Sequence, residues 1–203
     1  MTELLITTVY QMEEYFHSGG IIMFPLAVIS LVMWLLIINR ALYFRRLYRK
    51  NMNPQIAWTH ISENRLPDLN QYQGAVSLLV VEFMRRRSGN SALDRFILDE
   101  AVLRFNRSLD GFLGTIGALA AVAPLMGLLG TVIGMIVTFD VIAVFGTGNT
   151  SAMAGGISEA LITTQTGLLV AIPGLYMKGF LDRRAHKLKQ RNAVVGYYLR
   201  RRL

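Results

Sequence analysis

The 203-residue chain is 53% hydrophobic and only 17% charged, so it is more apolar than an ordinary soluble domain. Its formal net charge is +8, yet all 21 Lys and Arg residues lie in 40–112 and 178–203, beside apolar runs. Basic residues in flanking positions favour anionic lipids as partners and argue against nucleic-acid binding. Because the chain has no Cys, disulfides, thiol catalysis and Cys-ligated metals are excluded.

The N-terminal segment, residues 1–20, contains apolar residues at spacings of four, three and four: Leu5, Val9, Met12 and Phe16. This pattern is compatible with a short amphipathic helix on the outer face of the membrane and equally with a frayed tail. The segment has acidic residues and no basic ones, so the apolar run that follows is expected to be a retained anchor rather than a cleaved signal peptide.

Three apolar segments are long enough to cross a bilayer, which requires about 20 residues in a helix. We assign transmembrane helices to residues 21–39, 113–142 and 157–178. The second segment contains 28 uncharged residues from Phe112 to Phe139. This helix is longer than the hydrocarbon requires, so we expect it to tilt or to project beyond the bilayer.

The distribution of basic residues predicts the orientation of the chain. They occur in 40–112 and 179–203 but not in 1–20 or in the linker 143–156. By the positive-inside rule, the N-terminus and the linker are expected in the periplasm. Residues 40–112 then form a cytoplasmic helical domain, and 179–203 form a basic cytoplasmic C-terminal helix. Three spans place these two regions on the same side of the membrane, in agreement with the charges.

Turn-forming residues in the cytoplasmic domain separate helices predicted near 55–64 and 71–87. Ser91 is the expected N-cap of the next helix, with Asp94 in its first turn. An apolar stripe at spacings of four and three residues continues from there into the second span. The stripe predicts one helix from about 92 to 143.

The third span should likewise continue into the cytoplasm, to about residue 195. The predicted fold is therefore an all-α membrane protein with three transmembrane helices, of which the second and third extend into the cytoplasm. Apolar stripes on helices that project this far need neighbours to cover them. We therefore expect a homo-oligomer.

Small residues in the second span indicate close helix packing. Gly127, Gly130 and Gly134 fall at spacings of three and four, which allows the backbones of neighbouring helices to approach each other. Pro124 lies earlier in the same span and is expected to kink the helix, a feature that membranes tolerate.

Polar residues in the spans are the candidate functional groups. Thr131 lies in the middle of the second span, and a polar cluster opens the third span: Glu159, Thr163, Thr164, Gln165 and Thr166. Helical spacing places Glu159, Thr163 and Thr166 on one face. Such groups are costly inside a bilayer unless they face protein or water. The cluster predicts a polar lining between spans two and three, although each Thr alone could bond its own helix backbone.

The middle of the membrane contains hydroxyl groups from this chain but no acid. A hydroxyl can bind water or a proton-bearing group, but it does not titrate near neutral pH. A proton relay across the bilayer would therefore need a carboxylate from another chain. No enzyme motif, cofactor motif or metal-ligand spacing is present among the His residues, so we expect no catalytic activity, cofactor or metal.

Two runs resemble the second-span and third-span signatures of the MotA/TolQ/ExbB proton channel family. They are APLMGLLGTVIGMIVTF at 123–139 and GISEALITTQTGLLVAIP at 156–173. The short form of the chain looks closest to ExbB proteins of accessory TonB systems. The resemblance implies an inner-membrane homopentamer whose second and third spans line a central pore. Transmembrane helices of an ExbD- or TolR-like single-span partner would occupy that pore.

In the family, an Asp of this partner carries the proton, and proton flow energises TonB or TolA. The resemblance therefore implies a proton-channel subunit that couples the proton motive force to TonB-dependent outer-membrane transport. Thr131, Glu159 and Thr164 match the family's pore residues, whereas helical spacing alone places Thr163 beside Glu159. Two alternatives stay open: a TolQ-like subunit that drives TolA and envelope constriction, and a non-conducting membrane scaffold. A secondary transporter is disfavoured because three spans lack paired inverted repeats.

Overall fold

A computed structural model of the chain describes residues 19–48, 51–68, 72 and 74–203. Within these residues the regular structure is helical and contains no β-strand, which confirms the predicted all-α class. The α-helices run in the order α1 Met23–Tyr48, α2 Pro54–Ser62, α3 Ala75–Arg86, α4 Ser91–Leu109, α5 Leu113–Phe145 and α6 Thr150–Arg200. Most of the predicted amphipathic segment 1–20 lies outside the described residues.

Among the described residues, three stretches are long and apolar enough to cross a membrane, as predicted: α1, α6 and the stretch Ser91–Gly148 that contains α5. The helices α1 and α6 continue beyond their apolar parts. The helix of the third span reaches Arg200, slightly farther than the predicted end near residue 195. It also begins at Thr150, so residues 150–156 of the predicted linker are helical.

The prediction of one helix over 92–143 is wrong, because a turn at residues 110–112 separates α4 from α5. The sequence Asp-Gly at positions 110 and 111 favours a turn. The backbone N–H groups of these two residues donate to the last carbonyl groups of α4, those of Arg107 and Ser108. Phe112 then adopts a left-handed φ of 62°, which ends the helical path before α5 begins.

Side chains from α1 and α6 reach the same turn. The guanidinium of Arg40 is buried, lies over the rings of Tyr43 and Phe44, and donates to the carbonyl oxygen of Ser108. The ammonium of Lys189 donates to both carboxylate oxygens of Asp110. These long-range contacts hold the C-terminal end of α4 and the turn after it.

The predicted N-cap of α4 is also displaced by one residue. Asn90, not Ser91, is the cap, and its side-chain oxygen accepts a hydrogen bond from the backbone N–H of Ala92 at 3.0 Å. Ser91 is the first helical residue. Asn and Ser are about equally good caps, so the sequence alone did not discriminate between the two neighbours.

Asp94 binds the loop that precedes α4. Its carboxylate accepts hydrogen bonds from the backbone N–H and the hydroxyl of Ser88, at 2.7 and 3.0 Å, and from Nε of Arg87 at 3.2 Å. Burial acts to raise the pKa of Asp94, but these hydrogen bonds and the Arg87 charge outweigh it, so the pKa lies below its usual value. Farther along α4, Glu100 and Arg104 form an ion pair one helical turn apart, with an N–O distance of 2.6 Å.

The chain forms two compact units. The first comprises the described residues up to Leu36 together with Thr115–Met177, and the second comprises the described residues of Ile37–Gly114 together with Lys178–Leu203. In the second unit α2, α3, α4 and the end of α6 enclose an apolar core, formed by Met52, Ala57, Ile61, Val76, Val80, Phe83, Leu98, Val195 and Leu199.

In the first unit, α5 and α6 pack in antiparallel directions through small residues. A Cβ atom built on Gly127 would lie 3.0 Å from the carbonyl oxygen of Thr163. One built on Gly134 would lie 2.7 Å from the carbonyl oxygen of Gly156 and 2.8 Å from the backbone nitrogen of Ala160. Only glycine permits such a close approach, so these positions fix the register of the two helices. The α5 helix is continuous through Pro124.

The first span runs parallel to the third within this unit. Gly20 at the start of α1 contacts Glu159, and Met33 farther along α1 contacts Gly174. Residue numbers therefore increase in the same direction along α1 and α6. In a three-span protein the first and third spans cross the membrane in the same direction, as α1 and α6 do here. Which side of the membrane is cytoplasmic stays a prediction.

Candidate functional site

Glu159 is half-buried in α6 and lies against the residues that lead into α1. A Cβ atom built on Gly20 would overlap Oε1 of Glu159 and lie 2.6 Å from its carboxyl carbon. Gly20 has a φ of 64°, a backbone conformation that glycine adopts without strain. The entry to α1 thus sets how much space the Glu159 carboxylate has.

Thr163 is enclosed between α5 and α6, with only 1% of its surface exposed. Its hydroxyl donates within its own helix, to the carbonyl oxygens of Glu159 and Ala160. Its side chain fills the space over Gly130, where a Cβ atom would overlap Oγ1 and lie 2.9 Å from Cγ2. Gly130, predicted to pack, and Thr163, predicted to be part of a polar lining, thus contact each other.

Thr164 is half-buried beside the same helix interface. Its hydroxyl is 3.2 Å from the carbonyl oxygen of Gly127 on α5 and 3.2 Å from that of Ala160 on α6. A hydroxyl that donates to a carbonyl keeps its lone pairs, so it can still accept a hydrogen bond from water or a protonated acid.

Thr131 is half-buried in the middle of α5, where its hydroxyl donates to the carbonyl oxygen of Leu128 at 2.6 Å. As with Thr164, the hydroxyl donates to a backbone carbonyl, while its oxygen lone pairs stay available to accept a hydrogen bond. Thr131 follows Gly127 by one helical turn, and Gly127 is the residue whose carbonyl Thr164 contacts. The structure therefore places Thr131 and Thr164 on the two helices that pack together, without a direct bond between them.

Other polar residues of the cluster are used within the helix. Thr166 donates to the carbonyl oxygen of Ile162 at 2.8 Å, and the buried Thr138 donates to that of Gly134 at 3.0 Å. Gln165 is exposed. Apolar side chains surround these groups on the outer faces of α5 and α6, including Leu125, Val132, Leu161, Leu168 and Ile172. Such surfaces require lipid or protein neighbours.

Sequence reasoning missed three glycines on α6 that complete the helix packing. A Cβ atom at Gly167 would lie 2.7 Å from the carbonyl oxygen of Ala123, and Gly156 and Gly174 are similarly crowded. The signal was present as small residues at spacings of four, seven and seven: Gly156, Ala160, Gly167 and Gly174.

The apolar parts of α5 and α6 contain no acidic residue. No carboxylate lies in residues 113–139 or 160–177, and Asp140 near the end of α5 is exposed. Among the residues that the structure describes, no group of three His, Asp or Glu side chains is placed to bind a metal ion. The site therefore offers hydroxyl groups and one carboxylate at its mouth.

Comparison with known proteins gives the family of the chain. The profile described as the MotA/TolQ/ExbB proton channel family matches residues 72–193. An ExbB homolog of Methanothermobacter thermautotrophicus is 31% identical over 191 residues, which is 87% of this chain and 66% of the relative. The ExbB-like 3 protein of Synechocystis sp. is 32% identical, with 78% of this chain and 79% of the relative covered. Biopolymer transport protein ExbB of Aquifex aeolicus is 42% identical over 82 residues, covering 40% of this chain and 55% of that protein.

Proposed function

Because the chain belongs to the MotA/TolQ/ExbB proton channel family, we propose that it is a proton-channel subunit of an inner-membrane energy-transducing complex. The complex couples the proton motive force to TonB-dependent outer-membrane transport. Five copies surround a central path lined by the second and third spans. An ExbD- or TolR-like single-span partner places its helix in that path and supplies the Asp that carries the proton. A TonB-like protein receives the mechanical output.

The proposal rests above all on the chemistry of the α5–α6 interface. Thr131 and Thr164 retain acceptor lone pairs in the middle of the membrane, and no acid of this chain accompanies them. Such a surface can hold water and stabilise a protonated carboxyl group, but it cannot carry the proton itself. A channel built on it needs the acid of another chain, and the proposed partner supplies one.

Thr164 is assigned to the path in preference to Thr163. Both oxygen contacts of Thr163 are made inside its own helix, and its side chain is enclosed by Gly130. Turning it toward a central path would leave a void over Gly130. Thr164 is only half-buried and contacts the second helix through its hydroxyl. We therefore give Thr163 a packing role and Thr164 a lining role.

Glu159 lies at the periplasmic mouth of the path in the proposed orientation. A carboxylate at this position can exchange protons with water and pass them to the acid of the partner. The N-terminus and the linker then face the periplasm, and the basic regions 40–112 and 179–203 face the cytoplasm near anionic lipids.

Substitutions of two site residues test this function. T131A and E159A should each abolish TonB-dependent uptake while the assembled complex keeps its mass, because each removes a polar group from the path. T166A is the matched control, because it removes a half-buried threonine hydroxyl from the same part of α6 that is not assigned to the path. Normal uptake in both T131A and E159A would count decisively against the proposal.

The same variants distinguish the proposed function from the two alternatives. A TolQ-like subunit predicts that T131A and E159A impair envelope constriction while TonB-dependent uptake persists. A non-conducting scaffold predicts no proton flux, even with the wild-type chain, in liposomes that contain the complex and its partner.

A further inference from the structure

A groove in the second unit lies between α4 and the end of α6. It consists of two hollows of about 370 and 310 Å³ that share Tyr197 and Arg200. The first hollow is mainly apolar and includes Leu103 in its lining, while the second is bordered by Arg95 and Arg201. The groove therefore has an apolar end and a strongly basic end.

The apolar end is unusually exposed for a folded domain. Leu103 is 70% exposed and Tyr197 is 71% exposed. Between them, Gly196 allows α6 to approach α4, because a Cβ atom there would lie 2.8 Å from Cγ2 of Val102. Large apolar side chains that flank a groove are typical of an interaction surface.

The charges of this unit identify the kind of partner. Each of its eight carboxylates is already engaged within the chain. Seven form ion pairs with Lys or Arg, namely Glu63, Glu82, Asp94, Asp99, Glu100, Asp110 and Asp182. The eighth, Asp68, also has an interaction partner. Arg95 and Arg201, by contrast, have no ion pair among the described residues.

A second copy of this unit would therefore bring arginines to the groove and no spare acid. We propose that the groove docks an acidic segment of a different protein, one that carries carboxylates next to apolar side chains. The apolar side chains cover Leu103 and Tyr197, and the carboxylates bind Arg95 and Arg201. Guanidinium groups bind carboxylates through paired hydrogen bonds, which gives this end its selectivity. Arg200 is 3.5 Å from Asp99 and keeps further donors for the ligand.

Binding of a labelled peptide to the full-length protein in detergent tests this docking site. The probe is a short fluorescein-labelled peptide of Leu-Glu-Glu repeats, measured by fluorescence anisotropy. Controls are a peptide with Gln in place of Glu, a peptide with Ala in place of Leu, and a labelled oligouridylate. We expect the Leu-Glu-Glu peptide to bind more tightly than any control.

Charge reversal then locates the bound peptide. The R95E/R201E variant should weaken binding about tenfold, because two ion pairs are replaced by repulsion. R85E/R107E is the matched control, since both residues are exposed, form no ion pair among the described residues and lie outside the groove. L103Q should weaken binding without changing the charge.

Four results would overturn the proposal. They are absence of peptide binding to the wild type, equal weakening in the two double variants, preferred binding of oligouridylate, and a smaller oligomer in R95E/R201E alone. The last result would show that copies of this chain occupy the groove. None of the substituted residues belongs to the proposed proton path, so this test and the uptake test can fail separately.

Discussion

A methyl group at Gly20 is expected to displace the Glu159 carboxylate and slow proton flux. A Cβ atom at this position would lie 2.6 Å from the carboxyl carbon of Glu159 and 3.3 Å from its Cγ. Carbon atoms in contact rest about 3.5–4.0 Å apart and Oε1 is overlapped outright, so the carboxyl group must move by at least about 1 Å. The displaced atoms are the far end of a flexible side chain, so α6 itself can stay in place.

Gly146 provides the control for backbone strain. G20A forces a residue with a Cβ atom into a left-handed conformation, which costs about 1–2 kcal/mol. Gly146 has nearly the same φ, 66° against 64°, but no atom lies within 4 Å of its built Cβ. G146A therefore carries the strain of G20A without the displacement. The difference between the two variants isolates the position of the carboxylate.

The assay is proton flux into liposomes that contain the chain together with its single-span partner. A shift of about 1 Å in a reacting group can lower a rate up to 100-fold, so we expect G20A to reduce flux at least about tenfold relative to G146A. E159D shortens the side chain and should restore part of the flux in the G20A background, a coupling that a double-mutant cycle detects. Equal flux in G20A and G146A would refute the reasoning.

Two further predictions concern hydroxyl function and acid stability. T164V should reduce proton flux, because the Thr164 hydroxyl is assigned to the path. T163V should keep most of the flux, because valine preserves the shape of the Thr163 side chain over Gly130. A larger loss of flux in T163V than in T164V would contradict the assignment. D94N should lower the stability of the folded chain at pH 7 by about 1–3 kcal/mol, measured by thermal unfolding in detergent. Since the folded state lowers the pKa of Asp94, its ionised form stabilises the fold above about pH 3.9, and this contribution is lost as the pH falls through the lower folded-state value. The stability difference between wild type and D94N should therefore shrink below about pH 4.

The three membrane helices could be predicted because their signal is local. A run of about 20 apolar residues is enough to identify a span, and the parity of three spans follows from their number. The close contacts of Gly127 and Gly134 with α6 lie where the small-residue spacing placed a packing face. Such a pattern constrains a helix surface without reference to the rest of the fold.

The break between α4 and α5 was missed because the apolar stripe continues across it. Periodicity favoured one helix, whereas the structure ends α4 at an Asp-Gly turn that Arg40 and Lys189 hold from distant parts of the chain. Contacts between residues so far apart in sequence cannot be deduced from spacing. The Asp-Gly pair is the local signal for a turn, and at this position it predicts the structure better than the apolar stripe does.

The roles of the two neighbouring threonines could not be assigned from spacing either. Thr163 and Thr164 differ by 100° around α6, and both lie near polar residues. Their difference depends on which one meets Gly130 of the other helix, and the register of α5 against α6 decides this. Spacing within one helix shows which residues share a face. Which neighbouring helix that face contacts can be seen only in the packed structure.

The most direct test of the account is whether proton flux through liposomes containing this chain depends on an acid supplied by another chain. The flux is measured for the chain alone, with a single-span partner that carries its membrane Asp, and with the same partner carrying Asn in its place. We expect flux only with the Asp-containing partner, because this chain has hydroxyls but no carboxylate within residues 113–139 and 160–177. Equal flux from the chain alone, or with the Asn-containing partner, would contradict it.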